Sequence, residues 1–266
     1  MKPAEYFASR HADEPELQRL RDLSAIYDPV TIRRAGCLGI APGWHCLEVG
    51  AGAGSIACWL AERMGPSGHV VAADLNTRFL EELCLPNLEV RRHDLLAADF
   101  EHQAYDLVHC RMLLMHLADP ASAVARLARS VRPGGWLFIE EGDSTTLCAA
   151  NPAHPRARTF DRITRIILDG VQSSTMMDCF LGRRVRDLLE PLHFNDLGHE
   201  GTALIGRGGE PAARFFQMTS RITGEKVVEA GLITREDLAD RQAAYDDPTF
   251  TFVTMSSFGA WARRPL

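Results

Sequence analysis

The residues with the clearest chemical meaning are glycines at alternate positions in Leu47-Glu48-Val49-Gly50-Ala51-Gly52-Ala53-Gly54. Glycines so spaced let a backbone turn tightly and approach a ligand closely. The residues before them, 46–49, read as a short buried strand. Those after them, 55–64, read as an apolar-faced helix carrying Ile56, Trp59 and Leu60. A helix starting there presents free N–H groups and partial positive charge, which suits a carboxylate or a phosphate. Nucleotide and dinucleotide sites share such loops, so the glycines alone do not name a ligand.

Further acids narrow the chemistry. Asp74 ends a second buried strand, 70–73, where a carboxylate can accept hydrogen bonds from both hydroxyls of a ribose. Asp94 follows a third strand, 88–92, beside the apolar Leu95, a setting that suits the exocyclic amine of an adenine. Asp74 would serve a nicotinamide dinucleotide equally well. Glu48 before the first glycine, Ser55 where G-x-G-x-x-G wants glycine or alanine, and Asp94 all weigh against an NAD-dependent oxidoreductase.

Candidates for proton transfer lie farther along. His116 follows a fourth strand, 105–109, and as a neutral imidazole could take a proton from a hydroxyl, an amine or a ring carbon. Glu140, Glu141 and Asp143 close a fifth strand, 136–139, at the end where such sheets hold ligands. Glu141 and Asp143 are the better candidates to face an acceptor, and His109, inside the fourth strand, reads as a core residue. The histidines and acids do not make a convincing metal cluster, so no metal is expected.

The elements that must position these residues alternate strand and helix at short spacing, the mark of parallel βαβ units. A helix is expected over 14–36, kinked or split at Pro29. Another is expected over 76–84, and one over 119–131 opened by Asp119-Pro120. Arg132-Pro133-Gly134-Gly135 reads as a turn. Beyond residue 145 the rhythm changes: 156–192 largely helical, 196–206 a strand, 211–243 helical and 249–262 a final strand. The expected organisation is an N-terminal helical segment over the cofactor (1–36), a cofactor-binding core (37–146), a helical lid or substrate insertion (147–192), and strands and helices completing the sheet (193–266). Met176 and Met177 would give the lid adaptable apolar contacts.

Taken as a set, E-x-G-x-G-x-G, Asp74, Asp94, Cys110-Arg111-Met112-Leu113-Leu114-Met115-His116-Leu117 and Arg132-Pro133-Gly134-Gly135 resemble the motifs of class I S-adenosylmethionine-dependent methyltransferases, over residues 23 to about 143. A finer likeness is to a bacterial group related to the ubiquinone/menaquinone methyltransferases, many of them in natural-product pathways. It rests on Tyr27-Asp28-Pro29, Gly39 to Gly43, Leu114 to Pro120, Glu140 to Asp143 and Gly259 to Arg263. The resemblance implies a Rossmann-like α/β/α sandwich with seven mostly parallel strands, the last antiparallel, and a helical lid insertion. It implies S-adenosyl-L-methionine as cofactor. The contacts it implies are Tyr27, Glu48, Gly50, Ala51, Gly52, Gly54, Asp74, Leu75, Asp94, Leu95, Cys110 and Arg111, with His116, Glu141 and Asp143 beside the acceptor. The expected function is methyl transfer to a small molecule at O, N or C, in natural-product metabolism. The alternative is a protein that binds the cofactor without transferring methyl, for a rearrangement or as a regulatory subunit.

Composition sets the outer limits. The chain has 266 residues, 46% hydrophobic, with formal net charge −6. No basic footprint suggests nucleic acid. The seven cysteines contain no C-x-x-C pair and argue for free thiols in a reducing cytoplasm. No apolar run reaches the roughly 18 residues of a membrane span. Self-association as a homodimer is left open.

Overall fold

The structure is a computed structural model and describes residues 13–174 and 176–266. The chain divides into two compact units. One comprises residues 28–141, 181–201 and 258–266; the other comprises residues up to 27, 142–180 and 202–257.

Helix α1 (Asp13–Cys37) opens the described chain and runs unbroken through Pro29, contrary to the expected split. Proline there removes one helical hydrogen bond. Tyr27, Val30, Thr31 and Arg34 around it are all buried, and that packing holds the helix together. Strand β1 (His45–Val49) leads through the glycines into α2 (Ser55–Met64). Gly54 takes the left-handed conformation at the helix start and Gly65 breaks the far end. Ile56, Ala57, Leu60, Ala61 and Met64 form the buried face. Strands β2 (His69–Asp74) and β3 (Leu88–Arg92) follow.

No helix forms over 76–84. Side chains there take up backbone N–H groups: Asp74 accepts from Asn76, and Asn76 accepts from Arg78. The segment runs as successive turns because such side-chain bonds compete with the helical ladder.

Strand β4 (Tyr105–Arg111) precedes α3 (Pro120–Ser130), whose N-cap is Asp119, accepting from the Ser122 N–H at 3.0 Å. Strand β5 is long, Val131–Asp143. Arg132 to Gly135 is therefore not a turn. It is an irregular stretch of β5, where the register against β4 shifts between Tyr105 and Leu107. Gly134 has φ +75°, and a Cβ on Gly135 would lie 2.9 Å from the carbonyls of Tyr105 and Asp106. The glycines thus serve a bulge inside the strand.

The remaining elements are β6 (Cys148–Ala149), α4 (Ala157–Ser173), α5 (Val185–Leu189), β7 (Asn195–Thr202), β8 (Ile205–Arg207), α6 (Pro211–Glu229), α7 (Arg235–Asp246), β9 (Thr251–Val253) and β10 (Ser256–Arg263). Seven strands form one sheet in the order β3-β2-β1-β4-β5-β10-β7. The pairs β1–β2, β1–β4, β2–β3 and β4–β5 are parallel. The final strand is antiparallel, with Gly134 N–H donating to the Arg264 carbonyl and Arg264 N–H to that of Gly135. The single strands expected over 196–206 and 249–262 are each two strands. Their short members, β8 and β9, pair with β6 in a separate three-stranded antiparallel sheet.

The first unit packs Leu60, Met64, Val70, Leu80, Leu107 and Phe138 into its core. The second packs Ile163, Ile167, Val171, Val227, Ile233 and Leu238. Among the described residues no helix is long and apolar enough to cross a membrane.

Candidate active site

The glycine loop lies over the C-terminal end of β2. Gly50 and Ala51 N–H both donate to the Ala73 carbonyl, at 2.8 and 3.1 Å. Gly50, Gly52 and Gly54 all have positive φ, +72°, +58° and +82°. A Cβ on Gly54 would sit 2.4 Å from Leu83 Cδ1. Alternation of glycine in the sequence therefore reflects a backbone that L side chains rarely adopt.

Asp74 is tied to that loop. Its Oδ2 accepts the Gly52 N–H at 2.9 Å, and its Oδ1 accepts the Asn76 N–H at 2.9 Å. Burial raises this carboxyl above the ordinary range, and the backbone donors at Asn76, Gly52 and Leu75 oppose the rise. Its two oxygens keep lone-pair capacity for a ligand hydroxyl. Leu75 is half exposed. With Asn76, Thr77, Arg78, Glu81 and Arg92 it lines a cavity of about 330 Å³. At the end of β3, His93 N–H donates to the Asp74 carbonyl at 2.9 Å, which brings Asp94 to the neighbourhood of Asp74. Asp94 Oδ1 accepts the Leu96 N–H at 2.9 Å, and Leu95 is buried. This loop and this acid fit an adenosyl ligand in chemistry: a tight-turning backbone and a part-buried carboxylate able to accept ribose hydroxyls, with Leu75 the one apolar residue of the cavity lining.

Behind the loop lies a buried set of charges that sequence reading did not assemble. His109 Nδ1 lies 2.5 Å from Glu48 Oε2, and its Nε2 lies 3.3 Å from Glu140 Oε2. Glu140 also pairs with Arg34 at 2.6 Å and accepts from Thr31. Burial alone would lower the His109 pKa; the two carboxylates outweigh it and raise it to about 9. Glu140 is held below its ordinary range although burial opposes this, through its bonds and charges with His109, Arg111 and Arg34. Thr31 and Arg34 lie one helical turn apart on α1, and more than 100 residues separate them from Glu140. No local pattern could announce that pairing. The reading of His109 as a satisfied interior residue agrees with these partners.

The other candidates have partners of their own. Arg111 donates to Thr31 Oγ1 at 2.8 Å and to Asp28 Oδ1 at 2.7 Å. Cys110 is buried, and that burial pushes its thiol well above the usual range. Glu141 receives backbone N–H groups from Leu113, Leu114 and Met115, at 3.1, 2.7 and 3.4 Å. It thereby caps the 3-10 turn Leu114–His116, whose last residue is the candidate base. Met112, just before this turn, holds a left-handed φ of +51°, an uncommon conformation for a non-glycine residue. In the second unit, Asp143 accepts the Thr145 N–H at 2.9 Å, and the Tyr27 hydroxyl donates to the Met255 carbonyl at 2.8 Å.

Comparison with known proteins agrees with this geometry. Residues 47–139 match the family described as a methyltransferase domain. A ubiquinone biosynthesis O-methyltransferase from Paracidovorax citrulli is 36% identical over 111 residues, covering 38% of this chain and 45% of that protein. The chain spans only 35% to 45% of the length of the first curated relatives it matches. Among solved structures, a methyltransferase from Aquifex aeolicus, dependent on S-adenosylmethionine, superposes with a TM-score of 0.51 at 16% identity, over 95% of this chain and 99% of that one. Phosphoethanolamine N-methyltransferase 2 of Haemonchus contortus, solved with S-adenosyl-L-methionine, gives 0.51 at 16% identity, over 85% of this chain and 50% of that one. Residues 47–139 thus carry a match to the methyltransferase-domain family, and the chain shares its fold with S-adenosylmethionine-dependent methyltransferases of solved structure.

Proposed function

We propose that this protein transfers a methyl group from S-adenosylmethionine to a small-molecule acceptor, in natural-product metabolism and in the cytoplasm. The observation that carries the reading is the bond from Gly52 N–H to the part-buried Asp74 carboxylate, which joins the loop to the acid expected to meet the ribose. Support for a small acceptor comes from the relative named for ubiquinone biosynthesis and from a net charge of −6, which disfavours nucleic acid. The natural-product role rests on the motif likeness in Leu114 to Pro120 and Gly259 to Arg263. The cytoplasmic assignment rests on the seven cysteines, all free thiols.

When bound, S-adenosylmethionine supplies a methyl group already made electrophilic by its sulfonium. What remains for the chain is to orient the acceptor and exclude water. His116 is our candidate to accept the acceptor's proton, and Glu141 our candidate to position the turn that carries it.

The test is incubation of the purified protein with methyl-labelled S-adenosylmethionine and a panel of phenols, amines and activated carbon acids. Transfer of label, with a mass gain of one CH₂ unit in the product, is the expected result. Cofactor binding with no transfer to any member of a broad panel would favour the non-methylating alternative.

A further inference from the structure

His109, in the middle of β4, is buried between acids from the strands on either side of it. Glu48, its register partner on β1, faces its Nδ1 at 2.5 Å, and Glu140 on β5 faces its Nε2 at 3.3 Å. Both acids are buried too. Among the described residues His109 is the one hydrogen-bond partner of the Glu48 side chain. Glu140 has two more, both on α1: Thr31 donates to its Oε2, and Arg34 to its Oε1 at 2.6 Å. Arg34 also reaches Glu200 on β7 at 3.4 Å, and Arg111, which donates to Thr31 Oγ1 at 2.8 Å, lends its charge to Glu140. The uncharged Phe138 ring packs against His109 with centroids 4.8 Å apart.

An imidazolium has two N–H donors and a neutral imidazole only one. Carboxylates at both ring nitrogens therefore call for the charged form. When the proton leaves, one nitrogen turns a lone pair towards an acid, and a buried carboxylate loses its counter-charge. Glu140 would keep Thr31 and Arg34, but Glu48 has no second donor among the described residues. Glu48 stands two residues before Gly50, where β1 turns into the glycine loop at φ +72°. A movement that returns the Glu48 carboxylate to water therefore disturbs the strand end that carries the loop.

We propose that the imidazolium of His109 is a positioning residue for the cofactor loop: by holding Glu48 and Glu140 at once it couples α1 to Gly50–Gly54, and cofactor binding weakens when its proton is lost. The binding half of this inference rests on the reading of that loop as the adenosyl site.

The experiment is calorimetric titration of the full chain with 5′-methylthioadenosine from pH 6 to pH 10, a range in which this ligand has no group that titrates. The two acids raise the His109 pKa to about 9, so affinity should hold near neutrality and fall about tenfold as pH rises through that value. His109→Gln should bind about tenfold more weakly at pH 7 and show no limb near pH 9. Glu140→Gln removes one acid that holds the proton, so its limb should move down by about one pH unit or more. A flat wild-type profile, the same limb in His109→Gln or an unmoved limb in Glu140→Gln would overturn the proposal. Should the variants fail to fold, linkage decides it on the wild type: the ligand should raise the midpoint of the His109 ring signal in NMR by about one pH unit, and a midpoint indifferent to ligand overturns it. If neither 5′-methylthioadenosine nor S-adenosylhomocysteine binds at pH 7, the adenosyl reading falls with the binding half. The coupling is then read from amide hydrogen exchange, which His109→Gln should speed in residues 28–37 and 48–54 together; unchanged exchange in 48–54 overturns it.

Discussion

Burial raises the Asp74 carboxyl, while the N–H groups of Asn76, Gly52 and Leu75 pull it back. An acid whose folded pKa exceeds its ordinary value of 3.8 contributes stability only when protonated. That contribution is lost as pH rises through the raised value. At neutral pH the ionised side chain therefore weakens the fold. Asp74→Asn, which leaves one of the two backbone N–H groups without an acceptor, is expected still to fold and to weaken S-adenosylmethionine binding at least about tenfold, the loss of one charge-assisted bond. Calorimetric titration beside a thermal melt checks both, and unchanged affinity in the folded variant would remove Asp74 from the site. His109 has the opposite sign. Its pKa is raised to about 9 from 6.5, so its stabilisation is full below pH 6.5 and lost as pH rises through about 9. Such a shift corresponds to on the order of 3 kcal/mol. In urea unfolding, His109→Gln should be less stable than the wild type at pH 6, and the gap should narrow towards pH 10. A gap independent of pH would mean that His109 is buried neutral.

At the scale of elements, the glycine loop and the 3-10 turn 114–116 are built by different means. Left-handed backbone and close contact shape the loop. Gly54→Ala would place a Cβ 2.4 Å from Leu83 Cδ1 at φ +82°, and should destabilise the fold by about 1–3 kcal/mol. A melt of that variant equal to the wild type would contradict the geometry. The turn is organised by one carboxylate, Glu141, under three N–H groups. If the turn positions His116 for proton transfer, His116→Ala should lower turnover by on the order of 10²–10⁴ with cofactor affinity kept, and Glu141→Gln should follow it in part. Near-wild-type turnover in both would leave alignment as the whole mechanism. The two devices also differ in how far they could be read beforehand. Alternating glycines and the Asp119-Pro120 cap are local signals, and they placed β1, α2 and α3 closely. Glu141 was singled out for the acceptor side without its capping bonds, because those depend on the register of β5 against β4. The helix expected over 76–84 failed where Asp74 and Asn76 captured backbone N–H groups, and Arg132 to Gly135 resembled a turn because a bulge uses the same residues.

Over the whole molecule, the strand order β3-β2-β1-β4-β5-β10-β7 brings the ends of β1, β2 and β3 together, and with them Gly50, Asp74 and Asp94. Period and spacing sufficed to anticipate that half of the sheet. The chain beyond residue 145 was less legible. Each of its two late strands breaks in two, and the pieces are shared between two sheets. Which edge a short strand joins is decided by distant partners, as with Cys148 opposite Val253, and not by its own residues. The account as a whole stands on one adenosyl-sulfonium site in the first unit. Isothermal titration of the full chain with S-adenosylmethionine, S-adenosylhomocysteine and NAD tests it most directly. The expected result is saturable binding of both sulfur ligands at one site per chain and no heat from NAD; binding of NAD with no response to either sulfur ligand would contradict it.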